Sequence, residues 1–273
     1  MYVGIDVGGT NIRIASFEEL NPSGKRKVIE LKTLNHYVKD FNNICKVISD
    51  LTKYQVSGIG IDIPGVLNKA KTQILNANNL KSWQGQSIKN DLENKFNCKV
   101  VLENDATTAA LGEALFGKGV GKDFLFIIWG TGIGGTFVHL INNQVYTISS
   151  ELGHQIVEWG GVLDTCGQKG CLEVYCGGKG IEKRYGKPAK DLTENEWKEV
   201  EQYFAHGLLN ILTIYPSELV VFSGSVALNQ KNRLANIETI IRDRLKIFHV
   251  PKLLLSQYGN DVALYGALGL LKK

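Results

Sequence analysis

The chain has 273 residues, 44% of them hydrophobic and 21% charged, which is enough apolar material for one large domain or two modest ones and too much for a disordered chain. The net charge of +4 comes from 31 Lys and Arg against 27 Asp and Glu spread along the sequence, so no clustered basic face announces a nucleic-acid partner. No apolar run reaches 18 residues, and Asp6 breaks the first apolar segment with no basic stretch ahead of it, which predicts a cytoplasmic protein with no membrane span and no signal peptide.

In chain order, residues 2–7 read as a strand ending at Gly8-Gly9, and residues 11–17 as a second strand before the turn at 21–24. Residues 27–34 form a third. Phe41, Ile44, Val47, Ile48 and Leu51 recur at helical spacing and predict a helix over 41–54. A glycine-containing strand at 56–63 is closed by Pro64-Gly65, followed by a helix at 88–96, a short strand at 99–102 and a small-residue helix at 106–116. A β-run at 124–129 then enters a second glycine turn at 130–135, and 136–146 reads as two strands around Asn142-Asn143. Strand, glycine turn and strand thus occur twice, a weak internal repeat that predicts two similar lobes of an α/β protein packed around a cleft. Helical spacing returns over 194–215 and 232–247, on either side of a strand at 219–222 that ends in Ser223-Gly224-Ser225. Residues 261–271 close the chain as a helix with Asp261 as its N-cap.

The motifs that carry chemistry sit at the turns. Asp6-Val7-Gly8-Gly9-Thr10-Asn11 offers glycine N–H groups and a hydroxyl to a phosphate, with Asp6 placed to reach a magnesium ion or its water shell. Gly130, Gly132 and Gly135 satisfy a bare G-x-G-x-x-G, but the following segment is β-type, whereas dinucleotide binding needs a helix there. That disfavours an NAD-dependent oxidoreductase and favours a second phosphate-cradling hairpin. Ser223-Gly224-Ser225 reads either as a plain strand-to-helix turn or as a place where an adenine ring can lie against the backbone. Asp105, at the end of the strand carrying Glu103-Asn104, can accept a proton from an attacking hydroxyl or cap the helix that follows. The five cysteines cannot all pair. Cys45 and Cys98 read as isolated thiols, while His154, Cys166 and Cys171 have the makings of a tetrahedral zinc site whose fourth ligand is Asp164 or Cys176.

In their order and spacing, these pieces resemble the ROK family (repressor, open reading frame, kinase) of the sugar kinase and actin-like ATPase superfamily. The pieces are residues 6–11, Ile63-Pro64-Gly65, Asn79-Leu80, Glu103-Asn104-Asp105, residues 130–135, Glu151-Leu152-Gly153-His154, residues 166–173 and the turn at 223–225, and the resemblance covers essentially the whole chain. It implies an α/β fold of two ribonuclease-H-like lobes with an active-site cleft between them. The smaller lobe would span 1–115, completed by 259–273, and the larger 116–258 with the His/Cys segment. The implied function is ATP-dependent phosphorylation of a hexose at its 6-hydroxyl, as in a glucokinase or hexokinase, using Mg-ATP and a structural zinc. Asp105 would be the catalytic base. Asp6, Gly8, Gly9, Thr10 and Asn11 would form the first phosphate loop, Thr131, Gly132, Gly134 and Gly135 the second, and Gly224 would lie by the adenosine. Gly65, Asn79, Asn104, Asp105, Glu151, His154 and Glu173 would hold the sugar, with His154 giving one ring nitrogen to zinc and the other to the sugar.

Two positions depart from the family's pattern: Asp164 stands where the first of two closely spaced cysteines usually lies, and Asn11 stands where Lys often follows the first loop. Within the same class the alternative is a kinase of N-acetylmannosamine or another N-acetylhexosamine. A non-catalytic sugar sensor is the alternative of a different class, disfavoured by Asp105 and the two glycine loops. Repressors of the family carry a DNA-binding domain ahead of the first loop, and with the loop opening at Asp6 none is expected here. The resemblance further implies a homodimer whose partners are sugar and ATP, not nucleic acid or membrane.

Overall fold

The computed structural model describes residues 1–24, 26–52, 55–77 and 79–272; the last two positions of the helix expected over 41–54 lie outside them. The first elements are β1 (Tyr2–Val7), β2 (Asn11–Phe17), β3 (Arg26–Lys32), α1 (Tyr37–Leu51), β4 (Gly58–Ile63), the small hairpin β5 (Val66–Leu67) and β6 (Ile74–Asn76), α2 (Ile88–Phe96), β7 (Lys99–Asn104) and α3 (Asp105–Phe116). They are followed by β8 (Phe124–Trp129), β9 (Ile133–Ile141), β10 (Gln144–Ser150), α4 (Leu172–Cys176), α5 (Gly178–Tyr185), α6 (Glu194–Ile214), β11 (Leu219–Ser223), α7 (Ser225–Asn229), α8 (Arg233–Arg244), β12 (Lys252–Leu255) and α9 (Val262–Leu270).

The repeat read from the glycine turns is a repeat of topology. One sheet runs β3-β2-β1-β4-β7 and the other β10-β9-β8-β11-β12. In each, an antiparallel three-stranded meander is extended on the far side of its first strand by two parallel strands. Parallel neighbours need a crossover, and helices supply it: α2 joins β4 to β7, and α8 lies between β11 and β12. The chain divides into two compact units, Met1–Phe116 with the segment from Asp261 onward, and Gly117–Asn260.

In the first unit, Val3, Ile5 and Val7 of β1 and Ile59, Ile61 and Ile63 of β4 are buried in one core with Ile44 and Ile48 of α1 and Ile88 and Leu92 of α2. Side chains alternate across a strand, so Gly4, Asp6, Gly60 and Asp62 belong to the opposite face. There α9 packs so closely that a Cβ at Gly60 would stand 1.8 Å from the Ala267 carbonyl oxygen. Asp261 precedes α9, as expected of an N-cap, but its carboxylate is drawn to the Arg13 guanidinium on β2 and makes no cap hydrogen bond.

In the second unit, Leu125, Ile127 and Trp129 of β8 are buried against α6, with the Trp129 and Phe204 rings 4.3 Å apart. A capping box starts α6: the Thr193 hydroxyl accepts from the Glu196 amide, and the Glu196 carboxylate accepts from the Thr193 amide. Asn142 and Asn143 adopt φ of 50° and 61°, the left-handed pair that closes the tight β9–β10 hairpin. Strand β9 begins at Ile133, three residues earlier than the expected start at 136, so Gly134 and Gly135 are strand residues. The β5–β6 hairpin, the short helices α4, α5 and α7, and β12 are elements that the sequence pattern does not predict. Among the described residues, no helix is long and apolar enough to cross a membrane.

Candidate active site and metal site

In the first unit, the β1–β2 turn is closed by the Gly8 amide donating to the Asn11 carbonyl at 2.8 Å, and the Thr33 hydroxyl donates to the Gly8 carbonyl at 2.7 Å. A Cβ at Gly9 would stand 2.6 Å from the Cβ of Asn79, so Asn79 lies directly against the turn and only glycine fits there. Asn11 is already part of β2, and its amide donates to Glu30 at 2.7 Å. Asp6, at the end of β1, faces Arg13 at 3.9 Å.

The C-terminal end of β7 brings a second group together. Asn104 donates its Nδ2 to the Gly65 carbonyl at 3.1 Å, while its Oδ1 accepts from the amides of Ala106 and Thr107 at 3.0 and 3.4 Å. Asn104 therefore takes part in capping α3. Asp105 opens the helix, and its Oδ1 accepts from the Ala106 amide at 2.8 Å. Gly65, at φ 113°, turns the chain where a Cβ would meet the Asn76 carbonyl oxygen at 2.1 Å. Glu103 pairs with Lys71 of the β5–β6 hairpin.

Sequence reasoning passed over one residue of this region. Asp62 is fully buried and pairs in register with Asp6 on one side and Glu103 on the other, and among the described residues neither of its carboxyl oxygens meets a partner at strict hydrogen-bonding geometry. Burial, reinforced by the neighbouring Asp6 and Asp105, holds its carboxyl well above the usual range. Asp6 is raised too: its own burial outweighs Arg13 and its interaction with Asp62, both of which pull it down. The signal available beforehand was a lone Asp inside an otherwise apolar, glycine-containing strand.

In the second unit, the glycine turn proper spans 130–132, where the Gly130 amide donates to the Gly132 carbonyl at 3.0 Å. The Glu173 carboxylate lies over it, with Oε2 accepting from the Ile133 amide at 2.6 Å. Gly132 is glycine for that reason: a Cβ would stand 2.3 Å from Glu173 Oε2. Gly134 and Gly135 pair with Ile128 and Ile127 of β8. Gly224, at φ 94°, backs against the Trp129 carbonyl where a Cβ would be 2.5 Å from its oxygen. Beside it opens a cavity of about 490 Å³ lined by Thr131, Lys179, Pro188, Ser225 and Gln230 among others.

Four donors of the His/Cys segment converge. One ligand atom each from His154, Asp164, Cys166 and Cys171 lies within 4.8 Å of all the others. His154 Nδ1 is 2.7 Å from Asp164 Oδ2, Cys166 Sγ is 3.2 Å from the same oxygen, and the two sulfurs are 3.6 Å apart. Burial pushes the Asp164 carboxyl up, but hydrogen bonds from Cys171, Cys166, His154 and the Thr165 amide outweigh it and bring it down to about 2. One imidazole, one carboxylate and two thiols at this spacing fit a tetrahedral zinc-type site. Of the two candidates for fourth ligand, Asp164 is in the cluster. Cys176 is buried elsewhere and donates its thiol to the Val200 carbonyl at 3.4 Å. Glu151 is exposed and precedes the short turn Leu152–His154, with its carbonyl accepting from the His154 amide.

The sequence profile of the ROK family matches residues 2–273. The chain belongs to the ROK family. It is 30% identical over 305 aligned residues to an N-acetyl-D-glucosamine kinase of Photobacterium profundum, covering 98% of each chain. A glucokinase of Halalkalibacterium halodurans is 31% identical over 227 residues, 78% of this chain and 67% of that one. The family's regulators are related too: this chain spans 57% of the length of the Bacillus subtilis xylose repressor, at 27% identity. The ROK hexokinase of Thermus thermophilus superposes with a TM-score of 0.83, covering 98% of this chain and 97% of that one at 24% identity. The chain therefore has the α/β fold of that ROK hexokinase, in line with the fold class that the sequence resemblance implied.

Proposed function

We propose that this protein transfers the terminal phosphoryl group of Mg-ATP to the 6-hydroxyl of a hexose, with Asp105 as the base. The observation that carries this reading is the end of β7, where Asn104 accepts from the first amides of α3 and binds the Gly65 carbonyl, so that Asn104, Asp105 and Gly65, three residues of the resemblance, stand together. Phosphoryl transfer has a loose transition state, in which the base chiefly orients the attacking oxygen and takes its proton late. Backbone amides of Gly8, Gly9 and Thr10 and of the 130–132 turn are the donors for the phosphates, with Asp6 near the magnesium's water shell. The cavity next to Gly224 is a fitting size for the nucleoside. Asn79, Asn104, Glu151, His154 and Glu173 are the partners for sugar hydroxyls, and Gly65 allows the sugar close to the backbone. A zinc ion held by His154, Asp164, Cys166 and Cys171 would fix the orientation of the imidazole.

The test is ADP release from ATP across a panel of hexoses and N-acetylhexosamines. Asp105→Asn is expected to lower kcat by at least about a hundredfold while ATP and sugar still bind by calorimetry; unchanged turnover in the pure variant would sink the assignment. A second reading is favoured by the end-to-end likeness to the N-acetyl-D-glucosamine kinase: the acceptor is an N-acetylhexosamine. Its mark would be a kcat/KM for the N-acetylated sugar well above that for the parent hexose. Sugar binding with no ADP release on any member of the panel would instead make the chain a sugar sensor.

A further inference from the structure

The 130–132 turn is gripped by the segment that follows the metal-site cysteine. Cys171 immediately precedes α4. Two residues on, Glu173 accepts from the Ile133 amide at 2.6 Å and fills the place of a Gly132 side chain. At the other end of α4 the Cys176 carbonyl accepts from Trp129 Nε1 at 2.7 Å. The amides of Gly178 and Lys179 then donate to the carbonyls of Gly130 and Thr131 at 2.8 and 2.9 Å. Residues 129–133 are thus held at several points by residues 173–179, and Glu173 is the one side chain of that grip that carries a charge. Gly153, next to His154, packs against the same place: a Cβ there would stand 2.4 Å from the Ile133 carbonyl oxygen and 3.3 Å from the Cβ of Glu173. Two of the four metal-site donors, His154 and Cys171, are therefore the immediate chain neighbours of groups that touch Ile133 or hold the residue that does.

We propose that Glu173 is a positioning residue that couples the His154–Asp164–Cys166–Cys171 site to the 130–132 turn, so that filling this site with a divalent ion such as zinc sets nucleotide affinity. A charge-assisted hydrogen bond is worth roughly twice a neutral one, and a short helix cannot hold its own position without tertiary support. Ordering the four donors around one ion fixes where α4 begins, and with it where the Glu173 carboxylate lies. Loss of the ion frees Cys171, lets α4 shift, and releases the Ile133 amide and the turn together. The effect on nucleotide rests on the turn being a phosphate loop; the effect on the Ile133 amide does not.

Hydrogen exchange of the full-length protein, read at Ile133 by NMR with zinc bound and after chelation, separates these. Chelation is expected to speed exchange at Ile133 by about tenfold or more, while amides in the middle of β8 and β11 stay protected. Glu173→Ala, with zinc still bound at one equivalent, is expected to reproduce that loss, chelation adding little further because both act through one link. Glu173→Gln keeps an acceptor oxygen and should recover part of the protection. ADP titrated by calorimetry without sugar should weaken in parallel, by about tenfold.

Unchanged exchange at Ile133 on chelation overturns the proposal. So does equal loosening of Ile133 and the β8 core, which would make the ion a global staple. A Glu173→Ala variant that loses sugar affinity but keeps Ile133 exchange and ADP affinity also overturns it, since the carboxylate would then serve only the sugar. If ADP does not bind the wild-type protein while Ile133 still responds to zinc, the coupling stands and the kinase reading falls.

Discussion

Asp62 lies fully buried in β4 next to Asp6, and among the described residues neither oxygen has a partner at strict hydrogen-bonding geometry. Burial comes first among the causes that raise its carboxyl, followed by Asp6 and Asp105. The groups that face it are Asp6 on β1, Asp105 at the start of α3 and Arg13 on β2, the last of which opposes the shift. The sign follows. The folded chain keeps a proton on Asp62 that the unfolded chain releases near the ordinary carboxyl value of 3.8. Stability from this group is therefore full below that pH and is lost as pH rises toward the folded value, by about 1.4 kcal/mol per pH unit for one proton. Asp62→Asn removes the penalty. Urea midpoints should converge for wild type and variant near pH 4 and diverge above it in the variant's favour, and parallel curves from pH 4 to 8 would refute the neutral buried acid. At this scale the sequence was informative where a residue type has few uses. The Gly8-Gly9 turn and the His/Cys donor cluster were legible because close backbone approach demands glycine and a converging donor set demands His, Cys or acidic side chains. Asp62 was not, because nothing local distinguishes a buried Asp from a strand-end Asp until the register with Asp6 is known. Gly132 carries a constraint that one sequence does not display, since its missing side chain makes room for Glu173.

At the scale of elements, the long periodic segments were readable and the short ones were not. The apolar spacing of α1 and α6 fixes each as a helix, and the Thr193–Glu196 box even marks where α6 starts. The five-residue helices α4 and α7 are too short to display a 3.6-residue period. The three apolar residues ending β12, Leu253 to Leu255, offer no alternation to separate a buried strand from a helix. Close packing between elements is likewise invisible in one sequence, although its trace remains as glycine inside a strand. Gly60 is the clearest case, because its missing side chain is where the Ala267 carbonyl lies. Backbone cannot yield as a flexible side chain does, so Gly60→Ala must push α9 off the sheet. It should cost about 2–4 kcal/mol, read as a lowered denaturant midpoint. Thr193→Ala, which removes only the cap of α6, should cost about 1 kcal/mol, so a reversed order of the two losses would count against this account of the packing.

At the scale of the molecule, the first unit is assembled from both ends of the chain, while the second is one uninterrupted stretch, Gly117–Asn260. The same strand order therefore has different folding requirements in the two units. In the second, the core built on β8, α6 and α8 is drawn entirely from within 117–260, and the four metal-site donors lie there too. In the first, the face of β1 and β4 that carries Gly4 and Gly60 is covered by α9, which buries Val262, Leu264, Leu268 and Leu270. At roughly 1.5–3 kcal/mol for each fully buried side chain of this kind, those four amount to about 6–12 kcal/mol, as large as the whole stability of an ordinary domain. Ending the chain at Asn260 should consequently leave residues 1–116 unable to fold while 117–260 still melts cooperatively and takes up one equivalent of zinc. Exchange mapped over the truncated chain would show it: rapid exchange through β1 and β4, with β8 and β11 still protected. Protection of β1 and β4 in that chain would mean that α9 merely decorates the first unit, and the packing at Gly60 would need another explanation.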